Sequence, residues 1–156
     1  MKVVLFLCTG NYYRSRFAEE LFNFRAPAKC PGWVAASRGV AVDLGGGNVG
    51  HIAVQTIQAL QSRGVDFDPG FARAPRQLEI GDINAADHIV ALKYSEHFPL
   101  MRDRFFSRLS RNDISRIEYW DIHDIDLMAS EKALPLIEER LDDLMIRLRE
   151  ESDILL

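Results

Sequence analysis

Cys8, Arg14 and Ser15 stand in the run Cys8-Thr9-Gly10-Asn11-Tyr12-Tyr13-Arg14-Ser15, in which five residues separate the cysteine from an Arg-Ser pair. That is the spacing of a loop that wraps one phosphate-sized anion. In such a loop successive backbone N–H groups turn into a shared concavity, and the N-terminus of a following helix adds partial positive charge. The field that favours an oxyanion there also favours a thiolate. The planar fork of Arg14 suits two oxygens of a tetrahedral anion at once. Ser15 can donate its hydroxyl to the sulfur, and the N–H groups from Thr9 to Arg14 complete the cradle. Cys8 and Arg14 are therefore the candidate catalytic residues. Thr9, Gly10, Asn11, Tyr12, Tyr13 and Ser15 are the candidate binding residues. Gly10 permits a close backbone approach that a side chain would block, and Asn11 favours a turn. Attack by sulfur on phosphorus, with arginine and backbone amides neutralising the other oxygens, requires neither metal nor cofactor.

The elements around this run suit the task. Val3-Val4-Leu5-Phe6-Leu7 is a short apolar strand ahead of it, and Phe17-Ala18-Glu19-Glu20-Leu21-Phe22 opens a helical pattern behind it. The stretch from Arg25 to Gly32 breaks the periodicity and reads as a loop, followed by a second strand over Trp33–Ser37. Gly45-Gly46-Gly47 marks a flexible stretch before a helix over Ile52–Leu60, which stops near Gly64 as a glycine C-cap predicts. Ile89-Val90-Ala91-Leu92 is a continuous apolar run of the kind buried on both faces of a sheet, and Ile117–Trp120 reads as a fourth strand. The last helix carries Leu134, Ile137, Leu141, Leu144, Met145 and Leu148 on one stripe, with Pro135 expected in its first turn. Strands alternating with helices predict an α/β fold: a three-layer sandwich with a four-stranded parallel sheet, helices on both faces, and the phosphate-binding loop after strand 1. Ligands of such sheets bind at the carboxyl ends of the strands, where Cys8 lies. One domain over residues 1–156 is expected.

Composition narrows the class. The hydrophobic content of 47% supports a packed core, and the formal net charge of −4 without a basic block argues against a nucleic-acid partner. Arg102, Arg104, Arg108 and Arg111 read as the solvated face of a helix, and Phe105-Phe106 as core. The apolar N-terminal stretch is far too short for a membrane span or a signal-peptide core. Two cysteines, Cys8 and Cys30, exclude a zinc site built from cysteines, and no histidine pair has metal-site spacing. His51 opens a helix, His88 heads a strand, His97 is expected on a polar surface stretch, and His123 on a loop. A thiolate nucleophile fits a reducing, cytoplasmic setting.

The run and its flanks resemble the low-molecular-weight protein tyrosine phosphatases, whose first strand ends in Cys-x-Gly-Asn-x-Cys-Arg-Ser-Pro-x-Ala-Glu. The chain matches at Cys8, Gly10, Asn11, Arg14, Ser15, Ala18 and Glu19 and departs at Tyr13, for a second cysteine, and at Arg16, for proline. Weaker similarities follow in order: Ala36-Ser37-Arg38-Gly39, Arg73-Ala74-Pro75-Arg76-Gln77-Leu78, and Ala86-Asp87-His88-Ile89-Val90. The resemblance implies that Asn11 ties the loop together. It also implies a general acid after the fourth strand, where the family has Asp-Ile-Pro-Asp-Pro and this chain has Asp121-Ile122-His123-Asp124-Ile125. Asp124 is then the acid, with Asp121 and Asp126 as alternatives. Asp126 and Leu127 replace an aromatic pair that walls the family's cleft, Lys93 replaces an aspartate after the third strand, and Tyr12 lines or fills the cleft. The implied activity is hydrolysis of a phosphomonoester, foremost protein phosphotyrosine, through a phosphocysteine. The partners are a phosphorylated protein or a small phosphomonoester, with no nucleic acid and no membrane, and the expected state is a monomer or weak dimer. A catalytically weak phosphate- or phosphoprotein-binding module is the alternative. An arsenate reductase on the same scaffold is less favoured, because it needs two further cysteines where only Cys30 is present.

Overall fold

The computed structural model describes residues 1–154. Strand β1, Lys2–Cys8, is the apolar run read from the sequence, buried from Val4 to Cys8. It pairs in parallel with β2, Trp33–Gly39, on one side and with β3, His88–Ala91, on the other; β3 pairs in parallel with β4, Ile117–Tyr119. The order β2-β1-β3-β4 puts β1 in the interior of the sheet. Because strand side chains alternate, β1 feeds two cores. Val4 and Phe6 pack with Phe17, Leu21, Phe22, Leu134, Ile137, Leu141 and Leu148, whereas Leu5 and Leu7 pack with Ile83, Ile89, Met101, Phe105 and Ile117. The first layer comprises helices α1 (Arg14–Lys29), α2 (Val54–Ser62) and α6 (Ser130–Ile154); the opposite layer comprises α3 (Ile80–Ala85), α4 (Tyr94–Arg104) and α5 (Arg111–Ser115). The three-layer α/β sandwich with its parallel sheet is the expected one.

Three local expectations are corrected. Arg25–Lys29 is not loop: α1 runs on through Pro27, whose missing N–H removes one rung while Cys30 N still donates to Ala26 O at 2.9 Å. Pro135 lies inside α6 rather than in its first turn, because the helix starts upstream at Ser130. His97 is fully buried on α4 rather than exposed. By contrast α2 ends as the sequence predicts, with Gly64 at φ 81° just past it.

Two junctions aim the first strand at a site. Val40 N donates to Cys8 O at 2.8 Å and Ala41 N to Thr9 O at 3.0 Å, so the chain leaving β2 braces the chain leaving β1. Gly39 allows this approach. A Cβ there would stand 2.3 Å from Val42 Cγ2, 2.8 Å from Thr9 O and 3.0 Å from Asn11 N.

Candidate active site

The residues between β1 and α1 form the loop that the Cys8 run predicts. Asn11 adopts a left-handed φ of 50°, a conformation that asparagine tolerates better than most residues. Its buried side chain uses its full hydrogen-bonding capacity. Nδ2 donates to Ser15 Oγ (3.0 Å) and Ser37 Oγ (2.8 Å), while Oδ1 accepts from Arg76 N (3.0 Å) and Arg73 Nη1 (2.9 Å). The amide thus ties the loop to α1, β2 and the segment before α3.

This bonding orients Ser15. Its oxygen accepts from Asn11, so its own hydrogen is free for Cys8 Sγ, 2.8 Å away. Arg14 is 2% exposed. Its Nη1 donates to Ile122 O at 2.8 Å, and its Nη2 forms an ion pair with Glu96 Oε2 at 2.7 Å. Asp124 Oδ2 lies farther from the same nitrogen, at 3.7 Å. Arg14 Nε is buried and has no hydrogen-bond partner among the described residues. Glu96 also accepts the Thr9 hydroxyl on Oε1, at 3.1 Å.

A cavity of about 360 Å³ opens over the loop, lined by Cys8, Gly10, Tyr12, Tyr13, Arg14 and Asp124 and closed by Asn48, Ala53, Val54, Gln55 and Ile125. A neighbouring cavity of about 410 Å³ shares Gly10, Asn48 and Asp124 with it. A more voluminous groove of about 770 Å³ runs between α1 and α6, but neither Cys8 nor its loop borders it.

Of the three candidate acids, Asp124 alone borders the Cys8 cavity, and its Oδ1 accepts Ile125 N at 2.8 Å. Asp121 and Asp126 are exposed, and the Asp121 backbone pairs with that of Lys93 in an isolated antiparallel bridge. Lys93 Nζ touches His123 Nδ1, so this departure from the family pattern fastens the segment that carries Asp124 to the end of β3. Tyr12 does not plug the cavity. Its hydroxyl donates to Val49 O at 2.6 Å, which holds the ring as a wall against the glycine-rich segment. Tyr13 is buried beneath the loop, and burial first, then Asp124, pushes its phenol up to about 12.

Several members of this cluster escaped sequence reasoning. Glu96 reads as one more charge on a polar helix, and only the β3–α4 turn carries it to Arg14. Glu19, Ser37 and Arg73 are visible as similarities of order, but their joint network is not: Arg73 Nη2 lies 3.0 Å from Glu19 Oε1 and 2.9 Å from Ser37 Oγ. Among the described residues no group of three or more His, Cys, Asp or Glu side chains is placed to hold a metal ion, and no helix is long and apolar enough to cross a membrane.

A comparison with curated proteins gives no match. Among solved structures, YfkJ from Bacillus subtilis is 26% identical at a TM-score of 0.77, over 97% of this chain and 96% of that one. A low-molecular-weight protein tyrosine phosphatase from T. tengcongensis is 26% identical at a TM-score of 0.70, over 97% and 99%. The YwlE arginine phosphatase from Geobacillus stearothermophilus, 24% identical at a TM-score of 0.68 over 99% and 94%, shares the fold. The family model for low molecular weight phosphotyrosine protein phosphatase matches residues 3–153. The chain belongs to the low-molecular-weight phosphotyrosine protein phosphatase family.

Proposed function

We propose that the protein hydrolyses a phosphomonoester, protein phosphotyrosine foremost, through a phosphocysteine on Cys8. The observation that carries this reading is the Asn11–Ser15–Cys8 relay. Asn11 occupies the serine oxygen, which turns the serine hydrogen toward a sulfur 2.8 Å away. That hydrogen stabilises negative charge on sulfur before attack and again when sulfur leaves.

In the first step Cys8 Sγ attacks phosphorus, the S–P bond forms and the P–O bond to the leaving alcohol breaks. Arg14, with a buried and unpartnered Nε, and the loop amides hold the equatorial oxygens. Asp124 gives its proton to the leaving oxygen. In the second step it takes a proton from water, which attacks phosphorus and releases phosphate and the sulfur. The aromatic wall of Tyr12 and the apolar Ala53, Val54 and Ile125 suit a ring better than a sugar.

An arsenate reductase would need thiols that relay electrons from Cys8. Cys30, the only other thiol, follows α1 near the start of β1, at the opposite end of that strand. The test is an acid-quenched turnover with a phosphotyrosine peptide and with p-nitrophenyl phosphate, with mass analysis of the Cys8 peptide. We expect a phosphorylated Cys8 peptide. Asp124→Asn should lower the rate about 10²-fold or more with the peptide and far less with p-nitrophenolate, which leaves unaided. Equal losses for both substrates would remove Asp124 from the role of acid.

A further inference from the structure

Arg16 stands where the family pattern has proline, and it is 1% exposed. A guanidinium taken out of water costs several kcal/mol unless an anion and hydrogen bonds compensate it. Hydrogen bonds it has. Nη1 donates to Asn11 O (3.3 Å) and His51 O (3.0 Å), and Nη2 donates to Arg73 O (2.9 Å). All three partners are backbone carbonyls, and Nε has no partner among the described residues.

The other cations of the cluster are matched. Arg14 pairs with Glu96 at 2.7 Å and faces Asp124 at 3.7 Å, and Arg73 pairs with Glu19 at 3.0 Å. Among the described residues Arg16 has no carboxylate within ion-pair distance. Its charge is therefore not neutralised by a contact ion pair, and it lies against the loop whose Asn11 carbonyl it holds. Burial first, then the Arg73 cation, lowers its basicity, while Glu19, Glu20 and Cys8 act in the opposite sense.

We propose that Arg16 is a buried counter-charge of the phosphate loop: its guanidinium, which has no contact carboxylate, adds positive field for a bound oxyanion dianion to that of Arg14, which Glu96 and Asp124 offset. This rests on the phosphatase reading above. Two variants separate its charge from its hydrogen bonds. Arg16→Lys keeps the charge but cannot reach three carbonyls, whereas Arg16→Gln keeps donors and loses the charge.

The experiment is calorimetric titration of the full chain with orthovanadate, with unfolding scans for each variant and KM and kcat for p-nitrophenyl phosphate. We expect Arg16→Gln to bind vanadate about tenfold or more weaker, as removal of a nearby charge in a medium of intermediate dielectric requires, with a matching rise in KM. Arg16→Lys should stay within about threefold of the parent in affinity even where its unfolding temperature falls. A folded Arg16→Lys protein that loses vanadate affinity tenfold, or a folded Arg16→Gln protein that keeps it, overturns the proposal. Should the parent protein neither bind vanadate nor turn over, the phosphatase reading itself falls, an outcome distinct from either.

Discussion

The carboxylate of Glu96 joins two parts of the phosphate loop that are otherwise separate, meeting Arg14 Nη2 at 2.7 Å through one oxygen and the Thr9 hydroxyl at 3.1 Å through the other. Arg14 is the only side chain in the loop that can fork around phosphoryl oxygens, and its torsions are fixed by this contact and by Ile122 O. A carboxylate beside an anion site opposes binding electrostatically, so its presence is explained by orientation. Fixing the guanidinium in advance removes an entropic cost from the transition state.

Glu96→Ala should therefore lower kcat/KM for p-nitrophenyl phosphate about ten- to a hundredfold, the range expected for one lost charge-assisted contact. Glu96→Gln, whose amide oxygen can accept from Arg14 while its NH2 donates to the Thr9 hydroxyl, should recover most of that loss. Steady-state kinetics on the two proteins decide it; an alanine variant at the parent rate would show that Arg14 needs no brace.

His97 sits behind this pair, fully buried, with Nδ1 accepting Lys93 N at 3.0 Å and Nε2 3.4 Å from Glu96 Oε2. Burial, then the Arg14 and Lys93 charges, push it down from 6.5 to about 3. Below pH 6.5 the unfolded chain takes a proton here that the folded chain refuses, so stability is complete above that pH and falls toward pH 3. His97→Asn, whose amide oxygen replaces Nδ1, should flatten the stability profile between pH 6.5 and 4.5 by on the order of 1–3 kcal/mol relative to the parent protein. Urea unfolding at several pH values measures this; parallel profiles would place the acid sensitivity elsewhere.

Gly39→Ala tests how closely β2 abuts the loop. The added methyl would meet Val42 Cγ2 at 2.3 Å, which can turn away, and the backbone at Thr9 O and Asn11 N, which cannot. The expected loss is about 1–3 kcal/mol of stability together with most of the activity. A variant with unchanged unfolding and turnover would contradict the packing at this junction.

Cys8 has no thiol within reach to trap its oxidised form. Tyr13 fills the neighbouring position, and Cys30 is buried at the far end of β1, about 20 Å along the strand. Burial also pushes the Cys30 thiol up, which keeps it inert. Excess peroxide should carry Cys8 past the sulfenic acid to the sulfinic acid, leaving activity that dithiothreitol does not restore. Peptide mass analysis would refute this by finding a Cys8–Cys30 disulfide.

What the sequence discloses and what it hides follow from range. The Cys8 loop, its strand and its helix are contiguous, and the burial of β1 on both faces is written in its continuous apolar run. The interior of α1 is not, because Pro27 signals a break that a single lost rung does not enforce. His97 follows Ser95 and Glu96, polar neighbours that mimic a solvated surface. Glu96 and Arg16 acquire meaning only from partners brought together by folding: Glu96 from Arg14 and Thr9 at the carboxyl ends of the sheet, Arg16 from carbonyls at Asn11, His51 and Arg73. Their charge balance is a property of the assembled loop.

The central claim is that Cys8 is the nucleophile of a phosphomonoesterase. The most direct measurement is hydrolysis of p-nitrophenyl phosphate under reducing conditions, with and without a chelator, by the parent protein and by Cys8→Ser. The account predicts turnover that the chelator does not alter and that falls to background in the serine variant. Turnover that survives Cys8→Ser, or a folded parent protein that binds vanadate yet releases no p-nitrophenol from mildly acidic to neutral pH, would contradict it.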